Sequence, residues 1–251
     1  MVARLFYFQF HRMKTLMYIR RNMCILLILT ACLSTFTACG DDDNEDNDSI
    51  LSQDEDSDDL TVTGYINGHA YVDLNLSVNW ATCNIGADSP EDYGDYYAWG
   101  ETETKDEYTI DNSVTYEKTG MDDDISANSK YDAARVNWKS SWRMPTSDEL
   151  SELISNCTCT WTVQDNVIGY KITGSNGNSI FLPAAGERIP GYSNGTSTYQ
   201  GGSRGFYWSS SPRYGANYIQ AQYLGFDYSD ISVVVWGERY NGFTIRPVSD
   251  R

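Results

Sequence analysis

The chain has 251 residues, with 35 acidic against 18 basic side chains and a formal net charge of -17. Its 41% hydrophobic and 14% aromatic content is enough to bury a core, so disorder throughout is excluded. Nucleic-acid recognition through phosphates is excluded as well, since it needs clustered Lys and Arg.

The first 22 residues hold Arg4, Arg12, Lys14, Arg20 and Arg21 and no acid. The apolar run Met23–Phe36 follows. It is shorter than the about 20 residues that span a bilayer, and a basic stretch ahead of such a run reads as a secretory signal. Met13, which opens MKTLMYIRRN, is a candidate start. Phe36-Thr37-Ala38-Cys39 resembles a bacterial lipobox, in which a diacylglycerol is attached to the Cys sulfur and a peptidase cuts before it. Leu29-Thr30-Ala31-Cys32 fits that motif locally but shortens the apolar run. Cys39 is preferred as the lipidation site because a tether starts right after it.

That tether carries eleven acids between Asp41 and Asp59. Such a run self-repels and stays extended. Acids directly after a lipidated Cys resemble the export signal of surface lipoproteins in Bacteroidetes-type bacteria. The resemblance implies a lipid anchor in the outer membrane with the protein on the cell surface. A multiply acylated Cys holds a membrane stably. The expected division is therefore a signal peptide over 1–38, the lipidated Cys and acidic tether over 39–60, and one domain over 61–251. That domain has 24 acidic and 13 basic groups, a net of -11.

Within the domain, a strand is expected near Leu76–Cys83. A short helix is expected from Ser129 to Trp138, with Ala133, Ala134 and Trp138 as its inner face. Thr146-Ser147-Asp148-Glu149 is a capping box, and Leu150, Leu153 and Ile154 form one apolar stripe behind it. Tyr170–Thr173 should pair with Ile180–Leu182 through the Asn176-Gly177 turn. Further strands are expected over Tyr207–Ser210, Tyr218–Phe226, Ile231–Trp236 and Phe243–Val248. The unbroken Val233-Val234-Val235 run predicts a strand covered on both faces. Two early helices and a mostly antiparallel, twisted sheet with long loops make an α+β fold. Trp142 and Trp208 are expected as core anchors that each need an N–H partner. Arg143 and Arg246, flanked by apolar residues, should each reach an acid or backbone carbonyls. His69, after the Asn67-Gly68 turn signal, reads as a surface turn residue.

Trp142-Arg143-Met144-Pro145-Thr146, with Glu149-Leu150 behind it, resembles a W-R-[LM]-P-T-x-x-E element. Val78-Asn79-Trp80-Ala81-Thr82-Cys83-Asn84, Tyr96-Tyr97-Ala98-Trp99-Gly100-Glu101 and Ile180–Gly186 fit the same pattern in order. So do Tyr207–Ser211 and Gly242–Val248. As a set these motifs resemble the Fibrobacter major paralogous domain family, which implies a C-type-lectin-like fold over about Gly68 to Val248. The resemblance makes Cys83 and Cys157 the pair to consider for a disulfide. Cys159 is an odd third, with a buried small side chain as its plainest role.

Formylglycine-generating enzyme shares the broad fold, but its chemistry needs a cysteine pair near the C-terminal end, and no Cys follows Cys159. No enzyme is therefore expected. The mature chain keeps only His69, which rules out a multi-histidine metal site. No cofactor is called for. A structural calcium is allowed, since Asp122-Asp123-Asp124 and Asp92 with Asp95 offer hard oxygens, but the spacing is not that of an EF-hand.

The segment Ile189–Tyr218 mixes Tyr, Asn and Arg with Gly and Ser, as binding loops do. Its Tyr192, Tyr199, Arg204, Arg213, Tyr214 and Tyr218 are the candidate ligand-binding residues, and Asn217–Asp230 is permissive of sequence variation. The expected function is a surface lipoprotein presenting a binding or adhesion module for a glycan or a protein. An enzyme related to formylglycine-generating or carbohydrate-acting proteins is the alternative, as is a structural part of surface assemblies.

Overall fold

The structure is a computed structural model that describes residues 62–118, 121–213 and 219–251. The leader, Cys39, the tether, Tyr214 and Tyr218 lie outside these residues. Among the described residues are two α-helices and eleven strands, every neighbouring strand pair antiparallel, in one five-stranded and two three-stranded sheets. No helix there is long and apolar enough to cross a membrane.

The first sheet opens with a hairpin. β1 (Gly64–Ile66) pairs with β2 (His69–Val72) across Asn67-Gly68. Both turn residues have positive φ, 48° and 86°, the conformation that an Asn-Gly hairpin turn requires. His69 is not a turn residue. It begins β2 and lies half-buried, its ring stacked on Trp138 at 3.8 Å and 6°. Burial lowers its pKa from the usual imidazole value. β3 (Val78–Ala81) is buried along its whole length. β4 is the short Trp142–Arg143, and β11 (Val248–Asp250) inserts between β3 and β4.

α1 (Ala133–Trp138) starts later than Ser129 because Asp132 caps it, its carboxylate accepting the Arg135 N–H at 3.0 Å. The same carboxylate accepts the Ala127 and Met144 N–H groups, so a local turn replaces the expected first turn of helix. Ala133, Ala134 and Trp138 are buried as the inner face. α2 (Ser147–Asn156) has the full capping box. Thr146 Oγ1 accepts the Glu149 N–H at 3.2 Å, and Glu149 Oε2 accepts the Thr146 N–H at 2.8 Å. Leu150 and Leu153 enter the core, with Ile154 packed at its margin. Arg143 grips Glu149 through both Nη atoms and reaches Asp250 at 2.8 Å, tying the start of α2 to β11.

The second sheet runs β5 (Thr158–Gln164), β6 (Val167–Thr173) and β7 (Ser179–Pro183). Tyr170 faces Leu182, and Ile172 faces Ile180. The turn before it, Asp165-Asn166, has φ of 45° and 65° and closes a hairpin onto β5, a strand absent from the sequence expectation.

The third sheet holds β8 (Arg204–Pro212), β9 (Gln220–Asp227) and β10 (Asp230–Glu238), with β9 central. β10 is an edge strand. Its Ile231, Ser232 and Val233 are half-buried and Trp236 is 60% exposed, whereas the side chains of Val234 and Val235 lie outside the described residues. The strand expected over Phe243–Val248 is also absent as such. Phe243 bridges to Tyr97 and Thr244 to Tyr207 as single contacts, and only Val248–Asp250 joins a ladder. Pro247 has no N–H to give a ladder, and Arg246 spends its guanidinium inside the fold.

Trp80, Trp99, Trp142 and Trp208 are fully buried. The indole N–H groups of Trp142 and Trp208 donate to Ile66 O at 2.9 Å and Tyr97 O at 2.8 Å, as core anchors should. Arg246, 1% exposed, donates to Asn84 Oδ1, to Ala81 and Thr82 O, and to Phe181 O. It thereby joins the chain after β3 to β7.

Candidate functional site

Strand alternation decides which side chains share a face. On β8, Arg204, Phe206 and Trp208 point one way, and Gly205 and Tyr207 the other. Gly205 cannot carry a side chain, because a Cβ there would lie 2.0 Å from the Phe226 ring. The registers Arg204↔Asp227↔Asp230 and Phe206↔Gly225↔Ser232 then set two rows across the sheet. Gly225, at the centre of the second row, has no side chain to fill it. A hollow of about 200 Å³ forms there, lined by Arg204, Phe206, Tyr223, Asp227, Asp230 and Ser232 with Gly225.

The floor is aromatic. Phe206 and Tyr223 lie 5.9 Å apart and both pack on Phe243. The rim is charged. Arg204 pairs with Asp227 at 3.6 Å, with 47% and 26% of the two side chains exposed. Ser229 bonds the Asp227 carboxylate through its hydroxyl at 2.6 Å and its N–H at 2.9 Å, which holds Asp227 below the usual carboxylate range, with Arg204 adding to the effect.

Beside the hollow runs the segment that follows β7. Gly186 donates its N–H to Arg204 O at 2.7 Å, and Glu187 pairs with Tyr199 through two backbone bonds of 2.9 and 2.7 Å. Glu187 is 9% exposed. Burial lifts its pKa to about 7, against the pull of Arg204. Burial also raises the Tyr223 phenol, and the Glu187 charge raises it further. Glu187 therefore sits within electrostatic reach of both a rim and a floor residue of the hollow.

The residues singled out in the sequence are distributed unevenly around this geometry. Arg204 is on the rim. Tyr192 and Tyr199 are 43% and 36% exposed, with ring centroids 5.1 Å apart, on the segment that adjoins the Arg204 end of β8. Arg213 belongs elsewhere. It lies just beyond the other end of β8, nine residues from Arg204 at about 3.3 Å each, and bonds Gln220, which in turn bonds Glu238. Phe206, Tyr223, Asp227, Asp230 and Glu187 were not anticipated. The i, i+2 spacing of Arg204 and Phe206 carried a signal for the face, but the cross-strand register that supplies Asp227 and Asp230 did not.

Cys83, Cys157 and Cys159 are free thiols, so the disulfide considered between Cys83 and Cys157 is not formed. Cys157 and Cys159 pack together against the core that includes α2 and β6, whereas Cys83 Sγ contacts the Thr82 hydroxyl. Burial lifts the Cys157 thiol to about 11, with Cys159 adding to it, which keeps it protonated and unreactive. Of the acids considered for calcium, Asp124 accepts the Ser210 and Ser211 hydroxyls at 3.0 and 2.7 Å and the Ser126 N–H. Among the described residues no group of three or more His, Cys, Asp or Glu is arranged to hold a metal ion.

No family model matches the chain, and searches of curated proteins and of solved structures return no match either.

Proposed function

We propose that this chain is a surface lipoprotein, anchored through Cys39, whose C-type-lectin-like domain binds glycan in the Gly225 hollow. The resemblance to the Fibrobacter major paralogous domain family supports the fold part of this reading. The observation that carries the binding part is the hollow itself, with an aromatic floor of Phe206 and Tyr223 and a rim of Arg204, Asp227, Asp230 and Ser232. A pyranose has an apolar C–H face that packs on such rings and hydroxyls that bond to carboxylates and guanidinium. A mostly apolar floor with a few placed polar groups is the ordinary composition of a small-ligand site. The exposed Tyr192–Tyr199 pair extends it with rigid aromatic contact area.

The test is a glycan array probed with the wild-type chain and with Arg204→Ala and Asp230→Ala. Both residues are exposed, so the fold tolerates their loss. Saturable glycan binding that both substitutions weaken supports the reading, and binding indifferent to them refutes it. Mass spectrometry of the mature N-terminus tests the anchor, with an acylated Cys39 as the expected species.

One observation favours a second reading, glycan hydrolysis. Glu187 is shifted up to about 7 while Asp227 is held low, and carboxylates pushed apart in this way can divide acid and base roles. Release of shortened products from a bound glycan, abolished by Glu187→Gln, would establish it.

A further inference from the structure

A second cleft lies away from the Gly225 hollow. It encloses about 360 Å³ and is lined by the Gly100–Lys105 loop, Val114, Lys118, Lys130 and Tyr131. Residues 61–251 contain five lysines, and three of them, Lys105, Lys118 and Lys130, line this one cleft. In a domain with a net charge of -11 that is a marked concentration of cations.

The three lysines are not equivalent. Lys105 pairs with Glu101 at 2.9 Å and also bonds Asn112. Glu101 is 8% exposed and accepts the Val114 N–H at 2.9 Å and the Ser113 hydroxyl. That buried group is internally neutralised and serves as the wall. Lys118 and Lys130 each stand 5.1 Å from the Tyr131 ring centroid. Among the described residues neither has an ion-pair partner. The two lysine cations beside the Tyr131 ring draw its phenol pKa down. Like charges brought to one point repel unless an anion joins them. Val114, 67% exposed, adds an apolar patch beside them.

We propose that this cleft binds a small ligand bearing an oxyanion (carboxylate, sulfate or phosphate), with the charged group between Lys118 and Lys130 and the carbon skeleton over Tyr131 and Val114. The volume suits a ligand about the size of one sugar, at the lower end of small-molecule sites. The proposal is independent of the glycan hollow, because it uses none of the residues of β8, β9 or β10.

Calorimetric titration of the full chain at low ionic strength, where exposed charges are least screened, tests it with four probes: sulfate, phosphate, glucuronate and glucose. At least one of the three anions should bind saturably, one per chain, and glucose should not bind this cleft. Glucuronate alone identifies a uronic carbohydrate as the source, and sulfate or phosphate an ester. Replacing both lysines (Lys118→Met with Lys130→Met) should weaken the bound anion about tenfold, the loss of a charge-assisted contact. Glu103→Gln, which removes an exposed like charge from the lip, should tighten it. Arg204→Ala should leave it unchanged, which separates failure here from failure of the hollow. Absence of saturable binding by all three anions, or undiminished binding by the double variant, overturns the proposal.

Discussion

The two three-stranded sheets are built from similar material and used differently. In the β5–β7 sheet, β7 is buried at all five positions, and the polar group that locks it, Arg246, has partners at all three guanidinium nitrogens. In the β8–β10 sheet both faces meet core clusters, but the Arg204 end opens into the hollow, and the outer strand leaves Trp236 exposed. Its own buried cation, Arg239, is equally hidden at 1% exposure but less well served. Nε donates to Gln220 O and Nη2 to Met121 O, while Nη1 has no partner, and the group rests over Trp99 at 4.3 Å. Burial pushes its pKa down to about 10, against the pull of Asp122. One sheet is a satisfied frame, and the other carries unsatisfied and exposed groups of the kind that binding requires.

Arg246→Met is the most severe way to break this contrast. It strands several buried carbonyls, each costing about 1–3 kcal/mol, so a loss of about 4 kcal/mol and a Tm drop of roughly 10 °C are expected by calorimetry. Glu187→Gln comes next and is read through pH. The raised carboxyl favours the folded state below its ordinary value near 4.5. That contribution fades as pH rises to about 7, so wild-type stability should fall across this window by roughly 2 kcal/mol. The Gln variant should show a flatter profile in a pH series of thermal melts. Arg239→Met sharpens the comparison. It removes a poorly partnered buried charge along with two bonds, so chemical denaturation should shift by about 1 kcal/mol or less, far below the Arg246 effect. Asp230→Ala is the smallest for stability, within about 0.5 kcal/mol as for other exposed sites, yet it should weaken glycan binding about tenfold.

What could be read from the sequence was what is local. The α2 cap is set by Thr146 and Glu149, three residues apart, and both bonds form as the motif demands. The Asn176-Gly177 hairpin and the indole anchors follow from turn chemistry and from the scarcity of exposed tryptophan. Where partners lie far along the chain, the pattern was silent or misleading. Phe243–Val248 has the composition of a strand, but its backbone hydrogen bonds are shared among Tyr97, Phe206, Trp208, Ile85 and Ala81, which no periodicity reports. His69 has a turn signal beside it and nothing to announce Trp138. The hollow was half legible, because Arg204 could be picked out, whereas Asp227 and Asp230 come to it only through strand register. The Lys118–Lys130 cleft left no trace, since its members are scattered over loops.

The position of β11 has a consequence for how the domain is made. Its three residues fill the middle of the first sheet, between β3 and β4, so the earliest strands lack their central neighbour until Val248–Asp250 emerges. Closure of that sheet is the last pairing available to a growing chain. Until then β3 and β4 have no shared partner, so a chain shortened before Val248 cannot complete that sheet.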